Sequence, residues 1–210
     1  MRFDSIILDV DGTIWDTTGI VAQAWNKAID ETFPQVPHVT AEILKGQFGK
    51  TMDVIADNLF GVLTAEEKKI LMKDCCNAEQ KALLENQTDI TYEGVIETLQ
   101  RLYAHVPLFI VSNCQSGYIE LVIEKNGITK LIKDFECFGN TGKLKHENIQ
   151  LIIQRNGLKK PVYVGDTQGD FDACKKAGVP FIWAAYGFDH PQTDDYYAKI
   201  EKFTALEQLL

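Results

Sequence analysis

Asp9 and Asp11 are the two residues best placed, by type and spacing, to do chemistry. They sit in the run Ile6-Ile7-Leu8-Asp9-Val10-Asp11-Gly12-Thr13. An apolar strand that continued through both would aim the two carboxylates to one side. Like charges that close repel, and folding them together calls for a proton or a cation. The pattern points to a Mg2+ site with a nucleophilic or acid/base carboxylate. A strand followed by an acidic Asp-Gly turn is the plainer alternative. Gly12 lets the backbone turn sharply, and Thr13 adds a hydroxyl at the exit.

Two further apolar runs end in polar groups. Leu108-Phe109-Ile110-Val111 leads into Ser112-Asn113, and Val162-Tyr163-Val164 into Gly165-Asp166-Thr167-Gln168-Gly169-Asp170. Each alone reads as a turn, with Asp170 as a helix N-cap. Together they suit phosphoryl transfer. Asp9 would attack phosphorus, and Asp11 would protonate the leaving oxygen and then activate water. Asp166 and Asp170 would hold Mg2+ with Asp9 and the backbone carbonyl of Asp11. Ser112, Asn113, Gly12 and Thr13 would meet the phosphate. A lysine should offset the remaining charge, and Thr141-Gly142-Lys143-Leu144-Lys145-His146 offers two.

The elements that must position these groups follow from periodicity. Residues 5–10 read as a buried strand. Val21, Ala24, Trp25, Ala28 and Ile29 then recur at helical spacing, and Pro34 and Pro37 end that helix. Further helices are expected at 41–48 and 51–60. A long one follows Thr64, where Thr64 and Glu67 form a capping box. From residue 90 the pattern alternates: helix 94–104, strand 108–111, helix 118–126, strand 135–138, helix 147–156, strand 162–164, helix 170–177, strand 181–185 and a closing helix 205–210. Alternation of this kind predicts an α/β fold, a Rossmann-like doubly wound parallel sheet with an inserted all-helical cap. The expected division is a core at 1–14 and 89–210 and a cap at 15–88. Ligands of such sheets bind where strand order reverses, at the carboxyl ends of the strands.

The 210 residues are enough for one substantial core with a smaller insert. The formal charge of −9 disfavours nucleic acid or an anionic membrane as partner. Any anionic substrate must therefore be drawn in by local devices. No apolar stretch approaches the roughly 20 residues of a membrane span, and Met1-Arg2-Phe3-Asp4-Ser5 does not read as a signal peptide. Five cysteines, an odd number with no Cys-x-x-Cys pair, fit free thiols in a reducing cytoplasm. His38, His105, His146 and His190 show no ligand spacing. Cys114 reads as a bystander thiol, and Trp15 and Trp25 as core. Nothing in the composition indicates an oligomeric state.

As a set, Asp9-Val-Asp11-Gly12-Thr13, Ser112-Asn113, Lys145 and Gly165-Asp166-Thr167-x-x-Asp170 resemble the haloacid dehalogenase-like superfamily, in the family's order and over nearly the whole chain. The helical insert after the first motif resembles the subfamily I cap, and the general look is that of the phosphoglycolate phosphatase-like and β-phosphoglucomutase-like branch. The resemblance implies Asp9 as nucleophile, Asp11 as acid/base, Ser112 at phosphate, Lys145 as the neutralising cation, and Asp166 on Mg2+. Asp170 would act beside or on the metal. Lys145 is preferred to Lys143 because the family lysine directly precedes its helix. Asp11 argues for phosphate chemistry, since true haloacid dehalogenases lack a carboxylate there. In the insert, Lys50 is a candidate for reading the substrate. The expected activity is a Mg2+-dependent phosphatase acting on a small phosphorylated metabolite. A phosphomutase with the same aspartyl-phosphate, and a non-catalytic phosphate-sensing module, remain the alternatives.

Overall fold

Short apolar runs, buried on both faces, build the middle of the central sheet. A computed structural model describes residues 2–209. Its strands are β1 (Ser5–Leu8), β2 (Leu108–Ser112), β3 (Ile132–Cys137), β4 (Pro161–Gly165), β5 (Phe181–Ala184) and β6 (Ala198–Ile200). They form one six-stranded sheet in the order β3-β2-β1-β4-β5-β6, parallel throughout. This is the doubly wound order, with its reversal at β1. Leu8 lies level with Ile110 of β2 and with Val164 of β4. The residues that follow these strands therefore emerge at one rim.

The helices come in two groups. α1 (Thr18–Thr32), α2 (Ala41–Lys45), α3 (Met52–Leu59) and α4 (Ala65–Glu85) belong to one compact unit, Thr17–Asp89. α5 (Val95–Tyr103), α6 (Tyr118–Lys125), α7 (Phe138–Thr141), α8 (Lys145–Asn156) and α9 (Gln168–Ala177) belong with the sheet to the other, Met1–Asp16 and Ile90–Leu210. In the sheet unit, α8 and α9 close one face. Ile149 and Ile152 of α8 and Phe171 of α9 pack on Ile7, Phe109, Val111 and Tyr163.

The helical unit has its own core, in which Trp25, Ile29, Leu44, Ile55, Phe60 and Leu71 are buried together. The expected capping box starts α4: Thr64 Oγ1 accepts from the Glu67 N–H, and the Glu67 carboxylate accepts from the Thr64 N–H. The indole N–H of Trp25 in α1 donates to Glu79 of α4 at 2.9 Å, so a buried carboxylate ties the two long helices together.

Several elements differ from expectation. Helix α1 begins at Thr18, not near Trp15, because residues 11–16 form a turn whose Trp15 bridges to Asp11 and to Thr91. Strand β3 runs from Ile132 to Cys137, and Phe138 opens the short helix α7 instead of ending the strand. The chain closes in a 3-10 helix, Phe203–Gln208; Leu210, at the end of the expected closing helix, lies outside the described residues. Among the described residues no helix is long and apolar enough to cross a membrane.

Adjacent positions on α4 test its packing. Leu71 is fully buried and Ile70 is 47% exposed. In urea unfolding followed by circular dichroism, Leu71→Ala should lose about 3 kcal/mol, and Ile70→Ala no more than about 0.5 kcal/mol. Equal losses would contradict the placement of this helix.

Candidate active site

Strand β1 ends at Leu8, and the next residues deliver the first functional group. Asp9 is buried, 1% exposed, and its N–H donates to Val164 O of β4. Its Oδ1 accepts from Lys145 Nζ at 3.0 Å. The same ammonium donates to Asp170 Oδ1 at 2.6 Å. Lys145 is the first residue of α8 and is 4% exposed, whereas Lys143 is exposed. Of the two lysines, Lys145 is thus the one brought to Asp9.

The loop after β4 supplies the other two carboxylates. Asp170 is the third residue of α9, and its Oδ2 accepts from the N–H groups of Asp166 and Thr167 and from Thr167 Oγ1. Thr167 Oγ1 in turn accepts from the Asp170 N–H. This capping box fixes the loop, with Thr167 as the N-cap and Asp170 at the third helical position, so Asp170 is not the N-cap that the sequence suggested. Both oxygens of Asp170 are therefore engaged, one by the loop and one by Lys145. Asp166 is fully buried, with Oδ2 accepting from the Phe188 N–H at 2.7 Å and Oδ1 from Thr13 Oγ1 at 3.4 Å.

Asp9, Asp166 and Asp170 each present an oxygen within 4.8 Å of the others. Three buried carboxylates meet one buried ammonium, and the electrostatics follow from that imbalance. Burial pushes Asp9 up to about 7; Lys145 pulls it back, and Asp170 adds to the rise. Burial, then Asp170 and Asp9, lifts Asp166 well above the usual carboxylate range. Burial opposes the Lys145 charge, but Asp170 and Asp9 outweigh it and hold the ammonium protonated. A hard divalent cation fits such an oxygen-only, electron-rich set.

Close approach is built into the backbone. A Cβ on Gly12, where φ is +81°, would lie 2.0 Å from Asp166 Oδ2. A Cβ on Gly187, just beyond β5, would lie 2.3 Å from Asp166 Cβ and 2.4 Å from Gly12 O. Only glycine at both positions leaves room for Asp166. Gly12 and Thr13, expected at the phosphate, spend their donors inside the turn. The Gly12 N–H bonds Trp15 O, the Thr13 N–H bonds Val10 O, and the Thr13 hydroxyl bonds Asp166. Their geometry shapes the wall around Asp166 instead.

Strand β1 ends at Leu8, so strand alternation does not set the side to which Asp11 points, although its charge still adds to the rise at Asp9. Beyond Leu8 the chain turns, and Asp11 Oδ1 accepts from Tyr118 OH at 2.7 Å and Trp15 Nε1 at 3.1 Å. Ser112 ends β2, buried and level with Cys137 of β3; Asn113 follows, half-buried. Cys114 is buried and its thiol is raised by that burial, as a bystander would be. Lys50 is exposed, and its ammonium donates to Gly46 O and Gln47.

Sequence reasoning missed Gly187, Thr167, Trp15 and Tyr118. Gly187 had a signal, since it follows an apolar strand as Gly12 and Gly165 do. Thr167 stands three residues before Asp170, the spacing of a capping box. Tyr118 had none.

Known proteins of similar sequence and structure point to one family. The family model for haloacid dehalogenase-like hydrolases matches residues 6–184. The chain is 26% identical over 200 residues to the phosphoglycolate phosphatase of Vibrio parahaemolyticus serotype O3:K6, covering 88% of this chain and 85% of that one. It is 25% identical over 217 residues to the phosphoglycolate phosphatase of Agrobacterium fabrum, covering 97% and 91%. The crystal structure of a predicted phosphoglycolate phosphatase from Haemophilus somnus 129PT superposes with a TM-score of 0.88 at 22% identity, covering 100% of this chain and 98% of that one, and so shares the fold. With the motif carboxylates and lysine gathered at the switch point of a doubly wound sheet, and the family model spanning most of the chain, this protein belongs to the haloacid dehalogenase-like hydrolases.

Proposed function

We propose that this hydrolase is a Mg2+-dependent phosphatase that cleaves a small phosphorylated metabolite through an aspartyl-phosphate on Asp9. The observation that carries this reading is Lys145, buried and bridging Asp9 to Asp170 beside Asp166. Such a cluster suits a divalent cation, and with its charge offset by that cation and by Lys145 it suits a dianionic phosphoryl group. Similarity to phosphoglycolate phosphatases supports phosphoglycolate or a comparable organic phosphomonoester as substrate.

In this mechanism an Asp9 oxygen bonds to phosphorus as the ester P–O bond breaks. Asp11 gives its proton to the departing alkoxide. Asp11 then takes a proton from water, whose oxygen attacks phosphorus and releases phosphate and free Asp9. Lys145 holds Asp9 Oδ1 and so orients the nucleophile. Ser112 and Asn113 contact phosphate at the end of β2. Asp9, Asp166 and the Asp11 carbonyl would hold Mg2+, with Asp170 bracing Lys145 and the 166–167 loop. Mg2+ supplies neutralisation of charge on the phosphoryl group.

The helical insert, read from sequence as a cap at 15–88, is assigned the choice of substrate from its place directly after the first motif. The five cysteines are all free, which supports a reducing, cytoplasmic setting. The acidic charge of −9 supports small metabolites as partners over nucleic acid.

Two outcomes are expected. Asp9→Asn should lower phosphate release from 2-phosphoglycolate and p-nitrophenyl phosphate with Mg2+ by at least about a thousandfold, with its circular dichroism retained. Substantial turnover by that variant would remove Asp9 from the chemistry.

Mg2+ should also raise the thermal midpoint, because it binds the folded state only. The sign with pH is fixed by Asp9. Its pKa is raised in the folded state, from 3.8 to about 7, so between those values the folded metal-free protein holds a proton that the unfolded chain has lost. Its stability therefore falls as pH rises across that window, while the site becomes free for metal. The Mg2+-induced rise should be larger at pH 8 than at pH 5.5; a rise that is equal, or larger at the lower pH, would contradict the assignment.

A further inference from the structure

Asp11 is held from two directions by aromatic side chains that share one acceptor atom. Trp15 is fully buried and Tyr118 is 3% exposed. A buried indole N–H and a buried phenol O–H each need an acceptor, and both take Asp11 Oδ1, at 3.1 Å and 2.7 Å. Their rings meet edge to face, with centroids 5.9 Å apart at 67°. The clamp is anchored at both ends. Trp15 O accepts from the Gly12 N–H at 2.9 Å, and Trp15 bridges to Asp11 and Thr91. Tyr118 opens α6, and its N–H donates to Gln115 O, within the segment that begins at Ser112-Asn113.

We propose that Trp15 and Tyr118 are positioning residues for proton transfer, which hold the Asp11 carboxylate by Oδ1 in the orientation from which it gives its proton to the leaving group. The proposal rests on the assignment of Asp11 as acid/base.

Its physical content is twofold. A carboxyl side chain that transfers a proton must be held within hydrogen-bond reach of the leaving oxygen, and free rotation spreads it over unproductive positions. The clamp also ties the turn after β1 to the segment after β2. Asp11 thus keeps a fixed relation to Ser112 and Asn113, where the phosphate is proposed to sit. Plain aromatic packing would need neither the hydroxyl nor a shared acceptor.

The test uses two aryl phosphates of similar size that differ in how much the leaving group needs a proton. Phenyl phosphate needs it more, and p-nitrophenyl phosphate less. The quantity read is the ratio of kcat/KM for phenyl phosphate to that for p-nitrophenyl phosphate, which reports the first phosphoryl transfer. Tyr118→Phe keeps the ring and removes the hydroxyl. It should lower the ratio by about fivefold, and with Trp15→Phe added the ratio should fall further, toward that of Asp11→Asn. In an Asp11→Asn background, Tyr118→Phe should leave the ratio where Asp11→Asn puts it, because both changes remove the same proton transfer.

If Tyr118→Phe slows both substrates by the same factor, the hydroxyl has only a structural role and the proposal is wrong while the phosphatase stands. If its effect is undiminished in the Asp11→Asn background, Tyr118 acts on something other than Asp11, and the proposal fails again. If the wild type releases phosphate from neither substrate, the proposed function falls and the clamp with it.

Discussion

The structure turns on an imbalance of charge at one point of the sheet. Three buried carboxylates, Asp9, Asp166 and Asp170, gather around a single buried ammonium, Lys145. Burying ions is costly, and removing one partner from such a set costs several kcal/mol because the others are left uncompensated. The surrounding features serve to hold this cluster. The capping box of α9 satisfies one oxygen of Asp170, and the Phe188 N–H satisfies one of Asp166. Glycines at 12 and 187 admit Asp166 to space that a methyl group would fill. Tyr163 beneath the cluster donates its hydroxyl to Val111 O at 2.7 Å, so the floor is itself hydrogen-bonded. The residual negative charge is what a divalent cation would offset, and the site so neutralised would admit a phosphoryl group.

Topology makes the cluster possible. Strand order reverses at β1, so the segments after β1 and β4 emerge side by side. The lysine arrives from α8, the element before β4, at that helix's first residue. Residues 136 and 161 positions apart in sequence, Lys145 and Asp170 from Asp9, thus become neighbours without any long-range side-chain pairing having to find them.

Much of this was legible before the fold was known. The apolar runs ending in Asp9, Ser112 and Asp166 mark the carboxyl ends of parallel strands, and the capping box at Thr64 starts α4 as read. What escaped has physical reasons. Strand β6 is three residues long and includes Lys199, so no apolar run announces it. Helix α7 is a single turn whose sequence, Phe-Gly-Asn-Thr, reads as a loop. The expected shared face of Asp9 and Asp11 assumed a strand that in fact ends at Leu8, after which φ at Gly12 redirects the chain. Tyr118 lies 107 positions from the carboxylate it contacts, and an aromatic at the head of an apolar helix looks like core in any linear reading. Trp15 is core by burial, yet its one polar atom is spent on Asp11.

Membership in the haloacid dehalogenase-like hydrolases fixes the scaffold, and the particular side chains around Asp9 carry the chemical argument. The claim on which the rest stands is that Asp9 takes the phosphoryl group. Rapid acid quench of the Mg2+-loaded enzyme during turnover of p-nitrophenyl phosphate, followed by peptide mass spectrometry, tests it directly. The account predicts a phosphorylated peptide containing Asp9 that appears with the first release of nitrophenol and decays as phosphate is freed. Turnover with no phosphorylated peptide, or with the phosphoryl group on another residue, would contradict it.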